Sequence, residues 1–317
     1  MAKNKGKKKG GKKKWIVIGV VAVIIIAAAL GGGKDKPKDE VKKVSTSKNT
    51  SQSEDQTIDA NSDSVSATEE ATATIEEQVL VEQDGIKITA KDITYDSSFM
   101  GSSLNLIIEN TSDKTITVQA RDVSVNGYML NPIMSADIAP GKTANDDILF
   151  LSSELEENGI EAIANIEAKF TAFSTENFES LFTTDTVRIE TSASGTEGSG
   201  HPADAQVAFE NSGVTIYYKE ISNDDWLGTG VKVFVENSSE QAITVQTRDM
   251  SVNGYMIDGI FSCDVMPGKA ANDSITLLQS YLDENGIESI DSVEVKFVII
   301  DKDSFSEIAT SDPVTLS

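Results

Sequence analysis

The stretch NTSDKTITVQARDVSVNGYM, residues 110–129, returns as NSSEQAITVQTRDMSVNGYM at residues 237–256. The match runs without a gap from Asn110–Phe170 onto Asn237–Phe297, a constant offset of 127 residues, and a position-by-position count gives 36 identities in 61 pairs. Solenoid units recur every roughly 20–50 residues, so a repeat of this length is a duplicated domain. A device present in both copies serves the fold or a duplicated site. A device present in one copy can do neither job twice.

Within each copy the apolar residues alternate with period two. Ile86, Ile88 and Ala90 share one face of a run that continues to Ile93, and Leu104, Leu106 and Ile108 alternate in the next. Val231, Val233 and Val235 do the same in the second copy. Further apolar runs lie at 116–118, 123–125, 148–151, 166–173 and 186–189. Seven or eight short strands separated by turn signals predict an all-β chain of two tandem immunoglobulin-like antiparallel β-sandwich domains. Asn126-Gly127 and Asn253-Gly254 predict type I′ hairpin turns, which need positive φ twice. Pro140-Gly141 and Pro267-Gly268 fit the central pair of a type II turn. Between Val118 and Val123 the apolar parity flips from even to odd, and the flip recurs in the second copy, so a bulge or a sheet switch is expected at Arg121-Asp122 and Arg248-Asp249. One helical turn is expected from Ser152 to Gly159, with serines as caps and Asn-Gly as the stop, and its counterpart from Gln279 to Gly286.

Charge is segregated along the chain. Residues 1–14 carry eight lysines and no acid, while the remaining 27 − 8 = 19 basic residues face 51 acids, a net of 19 − 51 = −32. So acidic a body repels nucleic acid and excludes it as a partner. The run WIVIGVVAVIIIAAAL, extended by Gly31–Gly33, spans residues 15–33 and about 28 Å as a helix, close to a bilayer's hydrocarbon thickness. Lysines on its N-terminal side place residues 1–14 in the cytoplasm and everything after residue 33 outside. A single-pass signal-anchor in the cell membrane is the preferred reading; a cleaved signal peptide, cut near Ala27-Ala28-Ala29, is the alternative. Residues 34–77 are polar and charged with almost no large apolar side chain, a disordered stalk about 35–40 Å end to end. The first repeat is expected at 78–190, a linker at 191–206 and the second repeat at 207–317. Cys263 is the only cysteine, so no intrachain disulfide forms and stability rests on two apolar cores. Asn49, Asn110 and Asn237 match the Asn-x-Ser/Thr glycosylation pattern.

Leu104-x-Leu-x-Ile-x-Asn110, the Pro140-Gly141-Lys142 turn and the following strand ending at Phe150 resemble a family of bacterial extracellular domains. These are the telokin-like, immunoglobulin-fold domains of unknown function on membrane-anchored proteins and lipoproteins of Gram-positive bacteria. The resemblance covers both repeats and the anchor-plus-stalk layout, and it implies a surface location without implying an activity. This chain departs from the lipoprotein members in having no cysteine after the apolar run.

The residues point away from catalysis. The lone histidine, His201, falls in the linker, and Cys263 is replaced by Ala136 in the first copy, so neither completes a nucleophile–base pair. A carboxylate-based hydrolase needs one distinguished pair of acids, and no spacing singles one out. No cofactor motif or zinc-ligand set occurs. Calcium is the one ion the acids at 223–225, 283–285 and 301–303 could attract, and none of these matches a twelve-residue calcium loop. The candidate ligand patch is the duplicated step Arg121, Asp122 with Tyr128, and Arg248, Asp249 with Tyr255; the competing reading makes the arginines braces for the bulge. The expected function is a non-enzymatic binding or adhesion module at the cell surface for an extracellular protein or glycan. An envelope structural or stress-sensing role is the alternative.

Overall fold

The computed structural model describes residues 73–95, 101–193, 202–223 and 227–317. The basic segment, the apolar run 15–33, most of the expected stalk and His201 lie outside the described residues, and no helix within them is long and apolar enough to cross a membrane. The described residues belong to one compact unit.

The first repeat opens with β1 (Gln78–Gln83), β2 (Ile86–Tyr95) and β3 (Ser102–Asn110), then β4 (Ile116–Val125), β5 (Tyr128–Met129) and β6 (Ser135–Ile138). It closes with β7 (Lys142–Phe150), α1 (Ser152–Glu157), β8 (Asn165–Ser174), β9 (Ser180–Thr183) and β10 (Val187–Glu190). The second repeat follows the same order. Its strands are β11 (Gln206–Asn211), β12 (Val214–Ser222), β13 (Gly228–Asn237), β14 (Ile243–Val252), β15 (Tyr255–Met256), β16 (Ser262–Val265) and β17 (Lys269–Leu278). After α2 (Gln279–Glu284) come β18 (Val293–Asp301), β19 (Glu307–Thr310) and β20 (Val314–Leu316). In each copy one sheet has the order β1-β2-β3-β7 or β11-β12-β13-β17, and the facing sheet is built on the β4–β8 or β14–β18 pair. The fold is all-β, two tandem antiparallel sandwiches. Strands beyond the expected seven or eight are short, and the polar first half of β7 carries no apolar alternation to reveal it.

Alternation becomes burial in β3, where Leu104, Leu106 and Ile108 face inward while Ser103, Asn105 and Ile107 remain partly exposed. Phe150 and Phe170 fill the first core and Phe297 the second, all fully buried. Burying a side chain of this size contributes about 1.5–3 kcal/mol. Asn126 and Gly127 have φ of 51° and 88°, and Asn253 and Gly254 have 50° and 84°, with Val125 opposite Tyr128 and Val252 opposite Tyr255. These are the expected two-residue hairpins. In the Pro140-Gly141 turn Lys142 N donates to Ala139 O at 3.1 Å with Gly141 at φ 67°.

The parity flip is a bulge. The β4–β8 register runs Arg121–Lys169 and then Ser124–Glu167, so two residues oppose one, and Arg248–Ser251 repeats it against β18. Asp122 and Asp249 take up the extra residue at φ 49°, a left-handed conformation that Asp tolerates better than most side chains.

Two local expectations need correction. The helix cap is Leu151, not a serine: extended backbone leaving β7 runs straight into the helix, and Leu151 O accepts from the N–H groups of Glu154 and Leu155. The ordered sandwich also begins before residue 78, because Ala73 is buried and Thr74 N donates to Ser192 Oγ at 2.9 Å. The helix ends are as expected. Ile160 N donates to Leu155 O and Gly159 N to Glu156 O, and Ile287 and Gly286 repeat both bonds.

Candidate functional site

The bulge places Asp122, and not Arg121, where chemistry is concentrated. Asp122 is partly buried and accepts from Lys169 Nζ at 2.9 Å and Lys302 Nζ at 2.7 Å. Burial alone would raise its carboxyl, but the bonds and positive field of Lys302 and Lys169 outweigh that and hold it below the usual range. Arg121 is exposed and donates to Gln119 Oε1 in its own strand. In the second copy Asp249 accepts from Lys296 at 2.7 Å, while exposed Arg248 pairs with Glu307 at 2.9 Å. The duplicated arginines therefore have different partners, and neither is paired to the aspartate beside it. The bulge acids are tied to lysines on the neighbouring strand.

Tyr128 and Tyr255 occupy equivalent hairpin positions with opposite fates. Tyr128 is 4% exposed and Tyr255 is 52% exposed. The difference is the other repeat. Strand β5 adds in parallel to the edge of β17, with Ala270 N donating to Gly127 O at 3.0 Å, so one sheet continues from the first copy into the second. The Tyr128 ring lies 6.2 Å from Phe234, which lies 6.0 Å from Tyr217. Phe234 belongs to the second copy yet is fully buried in the core of the first.

Polar contacts surround this junction. Lys302 spans it between Asp122 and Asp264, both at 2.7 Å, and Lys269 meets Glu167 at 2.8 Å. Glu167 also accepts from Arg188, and these two cations overcome burial to lower its carboxyl. Asn272 Nδ2 donates to Asn158 Oδ1 at 2.9 Å, and Lys219 lies 3.9 Å from Glu157. Two clefts flank the contact. One of about 320 Å³ is walled by Asn165, Arg188 and Glu236, and one of about 500 Å³ by Asp122, Ser124 and Lys169. Ser124 Oγ and Asn165 Oδ1 are buried without a protein partner in those walls.

The residues expected from sequence thus split three ways. Asp122 and Tyr128 serve the junction between repeats; Arg121 is an exposed side chain near it. Arg248, Asp249 and Tyr255 are exposed on the second copy. Sequence reasoning missed Lys302, Phe234, Tyr217 and Arg188, and the available signal was their absence from the partner copy: the equivalent positions hold Thr175, Ile107, Thr89 and Thr315.

Other candidates resolve structurally. Cys263 is a buried core side chain, and burial pushes its thiol up. Asp283–Asn285 is a helix end, and Asp301 Oδ1 accepts from Ser304 N and Oγ in a local turn. Asp224 and Asp225 lie outside the described residues, and among those described no cluster of His, Cys, Asp and Glu is placed to hold a metal. Asn110 and Asn237 are 1% exposed, held by bonds to backbone and serine, so their glycosylation pattern is a by-product of a turn motif; Asn49 lies outside the described residues.

No family model matches the chain, and no curated protein matches it. Among solved structures, the YadV chaperone is 14% identical over 72% of this chain and 98% of that one, with a TM-score of 0.23. The Salmonella enterica SafA pilin in complex with the SafB chaperone is also 14% identical, over 74% of this chain and 97% of that one, with a TM-score of 0.23. The all-β assignment rests on the strands themselves.

Proposed function

We propose that this chain is a membrane-anchored extracellular protein whose paired immunoglobulin-like repeats form a non-enzymatic binding or adhesion module. The observation that carries this reading is the fate of the duplicated hairpin. In the first copy Tyr128 and Met129 are used in the contact with the neighbouring repeat of the same chain; in the second the same side chains, Tyr255 and Met256, stand 52% and 70% exposed. A large aromatic beside a methionine on an open strand edge has the composition favoured in interface cores. The basic segment and apolar run at 1–33 support an N-in, C-out anchor, and the resemblance of both repeats to telokin-like surface domains of Gram-positive bacteria supports the same location.

The test is capture of cell-envelope components by the soluble 66–317 unit. Capture should be specific and should be lost when Tyr255→Ala and Met256→Ala are combined. Capture that survives this change, or a wild-type unit that retains nothing, would contradict the reading.

A further inference from the structure

We propose that the exposed hairpin of the second repeat binds the first repeat of another copy, so that copies associate head to tail. This rests on the binding reading above and names its partner as a second copy of this chain. The contact already made within one molecule is heterologous: the hairpin end of one sandwich meets the opposite end of the next, along the edge of β17. Because the two sandwiches are duplicates, each carries both halves of that contact. One half is spent inside the molecule, which leaves the second repeat's hairpin and the start of the first repeat's β7 edge without a strand partner among the described residues.

The hairpin half keeps the side chains that reach across the contact, although Thr315 stands for Arg188. Tyr255 and Met256 stand for Tyr128 and Met129, and Glu294, Glu284 and Asn285 stand for Glu167, Glu157 and Asn158. The receiving half is retained in its polar parts. Lys142 is the counterpart of Lys269, Asn145 of Asn272, and Lys91 of Lys219, allowing for one residue of offset before β3. Lys142, Asn145 and Lys91 are all exposed. Thr143 lies opposite Glu109 at the open edge as Ala270 lies opposite Glu236.

Charge is therefore complementary, with Lys142 set for Glu294 and Lys91 for Glu284. The apolar part is weaker, because Ile107 and Thr89 replace Phe234 and Tyr217, and Thr175 replaces the bridging Lys302. The contact between copies is thus a reversible version of the one within each copy. A heterologous contact of this kind closes into a ring or grows as an open chain.

The experiment uses full chains in membranes, in a Cys263→Ala background that copies Ala136 of the first repeat. One tagged copy carries Thr143→Cys and a differently tagged copy carries Met256→Cys. A short bismaleimide should join the two tags, and pairs with the same cysteine in both copies should give far less product. Lys142→Glu or Glu294→Lys alone should lower the yield on the order of tenfold, and the two together should restore it. Melting curves of the single variants separate lost association from lost folding, and rescue by the double variant does so independently. Absence of the 143–256 product from well-folded chains, or a dominant 256–256 product, overturns the proposal. If the product is absent while Tyr255→Ala still abolishes capture of an envelope component, self-association falls and the binding reading stands.

Discussion

Asn110→Ala is the substitution whose cost follows most directly from the geometry. Asn110 is 1% exposed and its side chain makes four bonds. Nδ2 donates to Lys114 O at 2.8 Å and Ile138 O at 2.9 Å, while Oδ1 accepts from Ser112 N at 3.0 Å and Ser112 Oγ at 2.6 Å. Lys114 and Ser112 are open enough for water to replace the lost partner, but the bond to Ile138 O is buried. One buried acceptor left without a donor costs about 1–3 kcal/mol, and the exposed bonds add about 1 kcal/mol more. The expected loss is therefore about 3 kcal/mol. For a unit of this size that is a fall of roughly 6–12 °C in Tm. Asn110→Asp is the sharper companion, since it turns a donor into an anion facing two carbonyl oxygens. It should cost more than alanine at neutral pH and recover as acid protonates it. Urea denaturation of the 66–317 unit, followed across pH, measures both. An alanine variant within about 0.5 kcal/mol of the parent would refute the reasoning, as would an aspartate variant with no pH dependence. Asn237, with the same four bonds, should behave alike.

The remaining expectations are brief. Arg121→Ala should change stability by less than about 0.5 kcal/mol, whereas Asp122→Ala should cost about 1–2 kcal/mol by leaving Lys169 and Lys302 short of an acceptor; thermal melts of the two variants decide. Gly101→Ala and Gly228→Ala should each prevent stable folding of their repeat, since a Cβ would lie 2.0 Å from Phe150 O or Leu277 O at positive φ, and circular dichroism reads the result. Asp273 gives the pH dependence. Burial pushes its carboxyl up to about 6, opposed by bonds from Ser274 N and the Cys263 thiol, with Glu157 raising and Lys232 lowering it further. The folded state then holds a proton that the unfolded state releases near its ordinary value, so this group's contribution falls as pH rises from about 4 to about 6, by on the order of 2–3 kcal/mol. Asp273→Asn should flatten that part of the stability–pH curve, and an unchanged curve would remove the assignment.

Features governed by neighbours in sequence were legible. The parity flip before Val123 was visible because the pleat alternates strictly, so a single inserted residue shifts every later side chain. The Asn-Gly hairpins and Pro-Gly turns were visible because positive φ restricts the choice of residue. Features set by distant parts of the chain were not. Nothing local marks Gly101 and Gly228, whose lack of a side chain answers to a carbonyl some 50 residues away. The capping serines misled because Leu151 O already serves the helix N–H groups. The candidate site failed in an instructive way. Duplication drew attention to Arg121 and Arg248, but the contact between repeats breaks the symmetry, and two of its residues, Phe234 and Lys302, have no like residue in the other repeat.

Site-specific photo-crosslinking at position 255 of the full chain in intact cells tests the central claim, that the second repeat's hairpin is a free binding surface. A benzophenone amino acid at 255 should give discrete adducts of higher mass. The same probe at Val79, which is 51% exposed on β1, should give none. No adduct at 255, or the same adducts from both positions, would contradict the account.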